Sequence, residues 1–130
     1  MGQAAARQGD RVNGTDQHIV VNPSPAPPAL VPLPFAGALD GGLSTDVRVM
    51  GAAAATVGST ATNSPPHLLP PGAVMFQIPP QNQGTVLTGS FSVRINGKPA
   101  ARNGDSVLTC NDPVDQAVGS VSANGSVRIG

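Results

Sequence analysis

The sequence predicts a small all-β domain of short strands and frequent turns. Three observations carry the prediction. Apolar and polar residues alternate with period two in short runs: in residues 92–96, Val93 and Ile95 stand against Arg94 and Asn96, the pattern of a half-buried strand. Turn dipeptides interrupt these runs at short intervals (Asn13-Gly14, Asn96-Gly97, Asn103-Gly104, Asn124-Gly125), because Asn and Gly accept positive φ at little cost. Two proline-rich stretches, 22–34 and 65–71, exclude long helices, since proline fixes φ and lacks a donor.

Taken in order, residues 1–10 lead into the first repeated unit, and 18–21 form a β-favouring run. Residues 22–34 read as an extended loop with polyproline-II character, excluded from a central strand by their prolines. Residues 37–44 read as a glycine-rich turn region and 46–50 as a strand. The alanines 52–55 favour helix by propensity, but Gly51, Thr56, Val57 and Gly58 around them reduce the run to a compact bend. Residues 74–78 form a short strand, with 85–92 expected as its hairpin partner. Residues 118–129 read as two short strands joined at Asn124-Gly125.

The 130 residues fit one domain. With no Trp, no Tyr and three Phe against 16 Gly and 14 Pro, the core must be thin and built from Val, Ile, Leu and Ala. Such a fold leans on backbone pairing, a metal or a partner. Seven basic residues balance seven acidic ones, all Asp, and no basic run occurs, so nucleic acid is not an expected partner. One cysteine excludes an internal disulfide. Residues 1–10 lack the apolar core of a signal peptide, and no apolar stretch approaches the ~20 residues of a membrane span. Met1-Gly2 suggests myristoylation, yet Ala6 stands where Ser or Thr is wanted. Asn13-Gly14-Thr15 and Asn124-Gly125-Ser126 fit glycosylation sequons but read better as turns.

A unit of turn, small-residue run, turn and strand recurs. It is fullest in 92–110 (SVRINGKPAARNGDSVLTC), more degenerate in 4–21 and 46–67, and begins again in the terminal strand, 118–130. Within 98–105, KPAARNGD resembles the proline-alanine-alanine-arginine (PAAR) repeat of proteins that cap the spikes of contractile injection machines. The resemblance implies a single small conical domain with pseudo-threefold PAAR repeats, into which 22–34 is inserted.

His18 lies nine positions after Gly9 and His67 nine after Gly58, whereas Cys110 follows Gly104 by six. Repeats arranged about a pseudo-threefold axis would let these side chains converge, and imidazole nitrogen and thiolate sulfur are ligands that Zn²⁺ prefers. The resemblance implies a structural zinc held by three histidines and a cysteine, with His18, His67 and Cys110 in the first three ligand positions. The family's His-Gly-Gly and Cys-Pro-x-His are replaced here by His18-Ile19-Val20 and Pro65-Pro66-His67. The fourth ligand stays open between water, Asp16, Asp112 and none. Taken alone, each of the three residues reads more simply: His67 as a loop residue, His18 as a packed histidine, Cys110 as a small buried hydrophobe.

Enzyme chemistry is not expected. A zinc hydrolase or deaminase usually uses a Glu base, and the chain has no Glu. No nucleophile signature or clustered calcium loop occurs. Arg102 and Asp105 read as a structural ion pair or turn cap. The resemblance implies a structural, membrane-piercing tip that caps a trimeric β-helical spike of the VgrG or phage-spike type. One copy would serve each trimer, in type VI secretion or phage-tail-like particles, with an effector or cargo as a further partner and the target envelope met transiently. Synthesis in the bacterial cytoplasm without a signal peptide, assembly into the particle, delivery outside the cell or into the target, and absence of a built-in toxin domain are expected on the same ground. The alternative is a free-standing metal-binding adaptor that docks an effector or cargo through 22–34.

Overall fold

The computed structural model describes residues 2–130. Thirteen strands and no helix are found among them: β1 (Gln3–Ala4), β2 (Arg11–Val21), β3 (Ala29–Gly41), β4 (Arg48–Val49), β5 (Ala52–Ala53), β6 (Thr60–Asn63), β7 (Met75–Phe76), β8 (Gln83–Val86), β9 (Arg94–Ile95), β10 (Lys98–Pro99), β11 (Ser106–Thr109), β12 (Gln116–Ser122) and β13 (Arg128–Ile129). The all-β expectation holds.

Two layers of organisation emerge, both with threefold pseudo-symmetry. The first is a set of three two-stranded hairpins in one register. Arg94 faces Pro99 and Ile95 faces Lys98; Arg48 faces Ala53 and Val49 faces Ala52; Arg128 faces Ala4 and Ile129 faces Gln3. The third hairpin is therefore made from the two ends of the sequence, and the terminal strand completes the first repeat rather than beginning a fourth. The two strands joined at Asn124-Gly125 thus lie in different sheets, β12 in the barrel and β13 on β1.

Where each hairpin ends, an alanine pair turns inward. Ala6, Ala55 and Ala101 hydrogen-bond in a ring: Ala6 N–H to Ala101 O at 2.9 Å, Ala101 N–H to Ala55 O at 3.0 Å and Ala55 N–H to Ala6 O at 3.1 Å. All three are buried, as are their neighbours Ala5, Ala54 and Ala100. Three backbones meeting around one axis leave room for a methyl group and little more, which explains the repeated alanine pairs. A tight turn follows in each copy. Asp10 and Asp105 carboxylates and the Ser59 hydroxyl accept from the N–H three residues earlier, on Arg7, Arg102 and Thr56, at 2.9, 2.6 and 2.9 Å. Gly9, Gly58 and Gly104 occupy positive φ in these turns, at 92°, 95° and 87°.

The second layer is a barrel. β2 pairs β3, β3 pairs β6, β6 pairs β8, β8 pairs β11, β11 pairs β12 and β12 returns to β2, all antiparallel. Ring closure leaves these six strands with few open edges. The core inside is the thin one expected: Val12, Ala61 and Val107 on one set of strands, Leu39, Val86 and Val121 on the other, with Phe35 the single aromatic. Gly37, Gly84 and Gly119 recur two residues before Leu39, Val86 and Val121. A Cβ on Gly84 or Gly119 would stand 2.9 Å from a side chain of β11, so the barrel closes only with glycine there.

Several local readings are corrected. Residues 29–34 are not loop but the first half of β3, paired with β2 from Val20↔Ala29 to Thr15↔Pro34, and 37–41 continue that strand. Pro32 and Pro34 are tolerated because alternate residues of a strand direct their backbone groups to opposite sides. Ala36, of the same parity, uses its N–H and C=O away from β2, towards Asn63 and Ser64. The missing proline donors therefore fall on the side of β3 that β6 reaches only from Gly37 onward. Residues 85–92 do not pair with 74–78: β8 pairs with β6 and β11, whereas β7 adds to the far end of β2.

Candidate metal centre

The hairpins gather at one end of the barrel, and β2 runs away from them. His18 lies seven residues beyond Arg11, about 23 Å at ~3.3 Å per residue. At this far end β2 would be open between its pairings with β12 (11–13) and β7 (20–21). Residues 110–112 fill the gap. Gln17 N–H donates to Asn111 Oδ1 at 2.7 Å, Ile19 N–H to an Asp112 carboxylate oxygen at 2.8 Å, and Asp112 N–H to Gln17 O at 2.8 Å. This zipper holds Cys110 against the face of β2 that carries Asp16 and His18.

His67 comes from the loop after β6. Its backbone N–H donates to Asn82 Oδ1 at 2.8 Å, and its ring reaches Asp16. Asp16, His18, His67 and Cys110 each present one donor atom, and the four atoms lie within 4.8 Å of one another. It is the one such group of metal-binding side chains among the described residues. The three residues singled out from the sequence are thus adjacent. Of the two carboxylates left open, Asp16 belongs to this group, whereas Asp112 sits behind His18, its carboxylate 3.4 Å from Nδ1. An available signal pointed to Asp16, since it and His18 are two apart on a strand and share a face. Cys110 does not occupy the repeat position of the histidines; nine residues past Gly104 stands Pro113.

The Asp16 carboxylate is fully buried with no Lys or Arg beside it. It accepts from the Thr109 hydroxyl, from Asn111 Nδ2 at 3.4 Å, from the Cys110 thiol at 3.5 Å and from His67 Nε2–H at 2.7 Å. The His67 tautomer follows from Asn63. Its Oδ1 accepts from Ala36 N–H and its Nδ2 donates to Asn82 Oδ1, so Nδ2 also faces His67 Nδ1, which must accept, leaving the proton on Nε2. His18 Nε2 lies 3.7 Å from Cys110 Sγ, and its Nδ1 has no hydrogen-bond partner, since Asp112 is near but out of line. Burial pushes the Cys110 thiol above its usual range; the Asp16 charge adds to this, and backbone donors of Asn82 and Gln83 oppose it.

A buried carboxylate, two imidazoles and a thiol within reach of one another are better suited to a cation than to each other, because a buried anion needs a compensating charge. The group can hold a metal ion. Binding through these atoms would require the His67 proton to move from Nε2 to Nδ1 and the Cys110 thiol to give up its proton. A cleft of about 140 Å³ lined by Ile78, Pro79, Pro80 and Pro113 gives access to His18 and Cys110.

The three hairpins, the alanine ring and the capped turns define one repeated unit, and residues 77–130 match the family model of the PAAR motif. The chain carries the PAAR repeat. The match spans the copy with the intact KPAARNGD and the terminal strand, while the other two hairpins, formed by β1 with β13 and by β4 with β5, share its backbone register. No curated protein and no solved structure gives a significant match. Arg102, whose guanidinium lies 3.0 Å from Asp105, forms the ion pair and turn cap expected for the PAAR unit.

Proposed function

We propose that this chain is the structural tip of a contractile injection apparatus, of the type VI secretion or phage-tail-like kind. It caps a trimeric β-helical spike with its three-hairpin end and ends in a zinc-pinned apex. The observation that carries the reading is the cyclic backbone bonding of Ala6, Ala55 and Ala101. It gives a single chain the symmetry of a trimer, so each hairpin can meet one chain of a threefold partner in the same way. Zn²⁺ is the ion of choice for two imidazoles, a thiolate and a carboxylate in a closed tetrahedral site. Its role is structural, tying β2, the loop after β6 and the segment after β11 where the aliphatic core is thinnest. Function on this reading is mechanical: a rigid apex transmits contraction force to the target envelope, without turnover.

The test is stoichiometry. Mixed with the trimeric spike protein of the same apparatus, the chain is expected to give a native mass of one copy per trimer, bound at the spike's end in electron micrographs. Three copies per trimer, or binding along the shaft, would refute capping.

A further inference from the structure

Formal charge sums to zero, yet the two ends differ: the hairpin end carries all seven basic residues against four Asp (Asp10, Asp40, Asp46 and Asp105), and the far end carries the other three Asp. All seven basic residues lie in the hairpins and turns of the repeats or at Arg11, where β2 begins. The far end holds Asp16, Asp112 and Asp115 and no Lys or Arg. Within the positive end, Arg48, Arg94 and Arg128 occupy one equivalent position on the three hairpins. Each is exposed, and each donates from one guanidinium nitrogen to the carbonyl of its own hairpin's glycine: Gly51 at 3.0 Å, Gly97 at 3.0 Å and Gly2 at 3.3 Å. None of the three has a carboxylate partner among the described residues, whereas Arg102 does. One bond per guanidinium holds the side chain in place and leaves its other donors free.

We infer that Arg48, Arg94 and Arg128 form a three-point anion clamp whose occupant is a threefold-symmetric protein presenting one carboxylate per chain. The inference rests on the tip reading and names the chemistry of the surface being capped. Charge sign and symmetry together select this partner. A single anionic ligand would engage one arginine, and a bilayer would favour a continuous basic face. Three related guanidinia, each fixed by the same bond in the same register, match three related carboxylates. Guanidinium and carboxylate also pair through two parallel hydrogen bonds, which fixes orientation as well as sign. Beside this surface stands Phe91, which is fully exposed; the equivalent positions hold Thr45 and Gly125, so only one of the three sites carries an aromatic.

The experiment measures Kd of the parent for the trimeric spike protein of the same apparatus across 50 to 500 mM NaCl, over which the Debye length shortens from roughly 14 Å to roughly 4 Å. It is repeated with Arg48→Gln, Arg94→Gln, Arg128→Gln and the triple variant, with thermal melts as a folding check and a triple Arg→Lys variant as charge control. Expected are affinity that falls with salt, Kd raised roughly three- to fivefold by each single change and about thirty- to a hundredfold by the triple change, and partial retention with lysine. Salt-independent binding left intact in the triple Arg→Gln variant would overturn the clamp while leaving the tip reading standing. No spike binding at any salt would overturn the tip reading and the clamp with it. Arginine-dependent binding to phosphatidylglycerol vesicles in place of the spike would make the surface a lipid site and also overturn the inference.

Discussion

Replacing Ala101 by Val probes the threefold closure directly. The residue is fully buried, its N–H donates to Ala55 O at 3.0 Å, and its C=O accepts from Ala6 N–H at 2.9 Å. Two added carbons have no free volume around the axis, and overpacking of this kind costs about 1–3 kcal/mol. Spreading the ring also weakens three shared hydrogen bonds, adding about 1 kcal/mol. The total is about 2–4 kcal/mol. At about 2.1 cal/mol/K per residue the unfolding entropy of this chain is roughly 0.27 kcal/mol/K, so Tm falls by roughly 7–15 °C. Scanning calorimetry on Ala6→Val, Ala55→Val and Ala101→Val should give three similar losses, and Ala117→Val, exposed on β12, should be neutral within about 0.5 kcal/mol. A neutral result at any ring position, or losses that differ by more than about 2 kcal/mol, would refute equivalence of the three copies.

Other consequences follow from the same structure. Asp10→Ala removes one turn acceptor and should cost about 0.5–1.5 kcal/mol in denaturant melts, whereas Ser59→Ala also loses the donor to Gly42 O, Asp105→Ala also frees Arg102, and each should cost about 1.5–3 kcal/mol. In chelator, the native chain keeps the raised Cys110 proton to higher pH than the unfolded chain does. Stability that is complete below the ordinary thiol pKa of about 8.5 should therefore decline as pH rises above it, and Cys110→Ala should remove that decline in a pH series of melts. Phe91→Ala should leave Tm unchanged and weaken spike binding, measured by titration calorimetry, roughly tenfold.

How much was legible in the sequence depended on how local the signal is. The third copy was readable because each of its features is local: alternation in 92–96, the Asn96-Gly97 turn, and Asp105 capping the N–H of Arg102. The split first copy was not, since no local pattern says that Arg128 will face Ala4 from the other end of the chain. Proline misled at 29–34. The rule that proline avoids sheets concerns a missing donor, and at Pro32 and Pro34 that donor would point away from the paired side. In the site, the repeat spacing brought out His18 and His67, and Cys110 followed by residue type. Asp16 stayed open against Asp112, because which carboxylate faces inward depends on the register between β2 and residues 110–112, a tertiary property. The supporting Asn63, Asn82, Thr109 and Asn111 carried no motif at all; they act by satisfying buried groups that only the folded chain creates.

The account turns most directly on whether the far end of the barrel closes on one ion. Elemental analysis of the purified parent beside Asp16→Asn, His18→Ala, His67→Ala and Cys110→Ala decides it, with Asp115→Asn as an exposed control. About one zinc per chain is expected in the parent and the control, from a single four-coordinate site, with a large loss in each of the four quartet variants. Parent protein without metal, or full metal content after removal of any quartet residue, would contradict it.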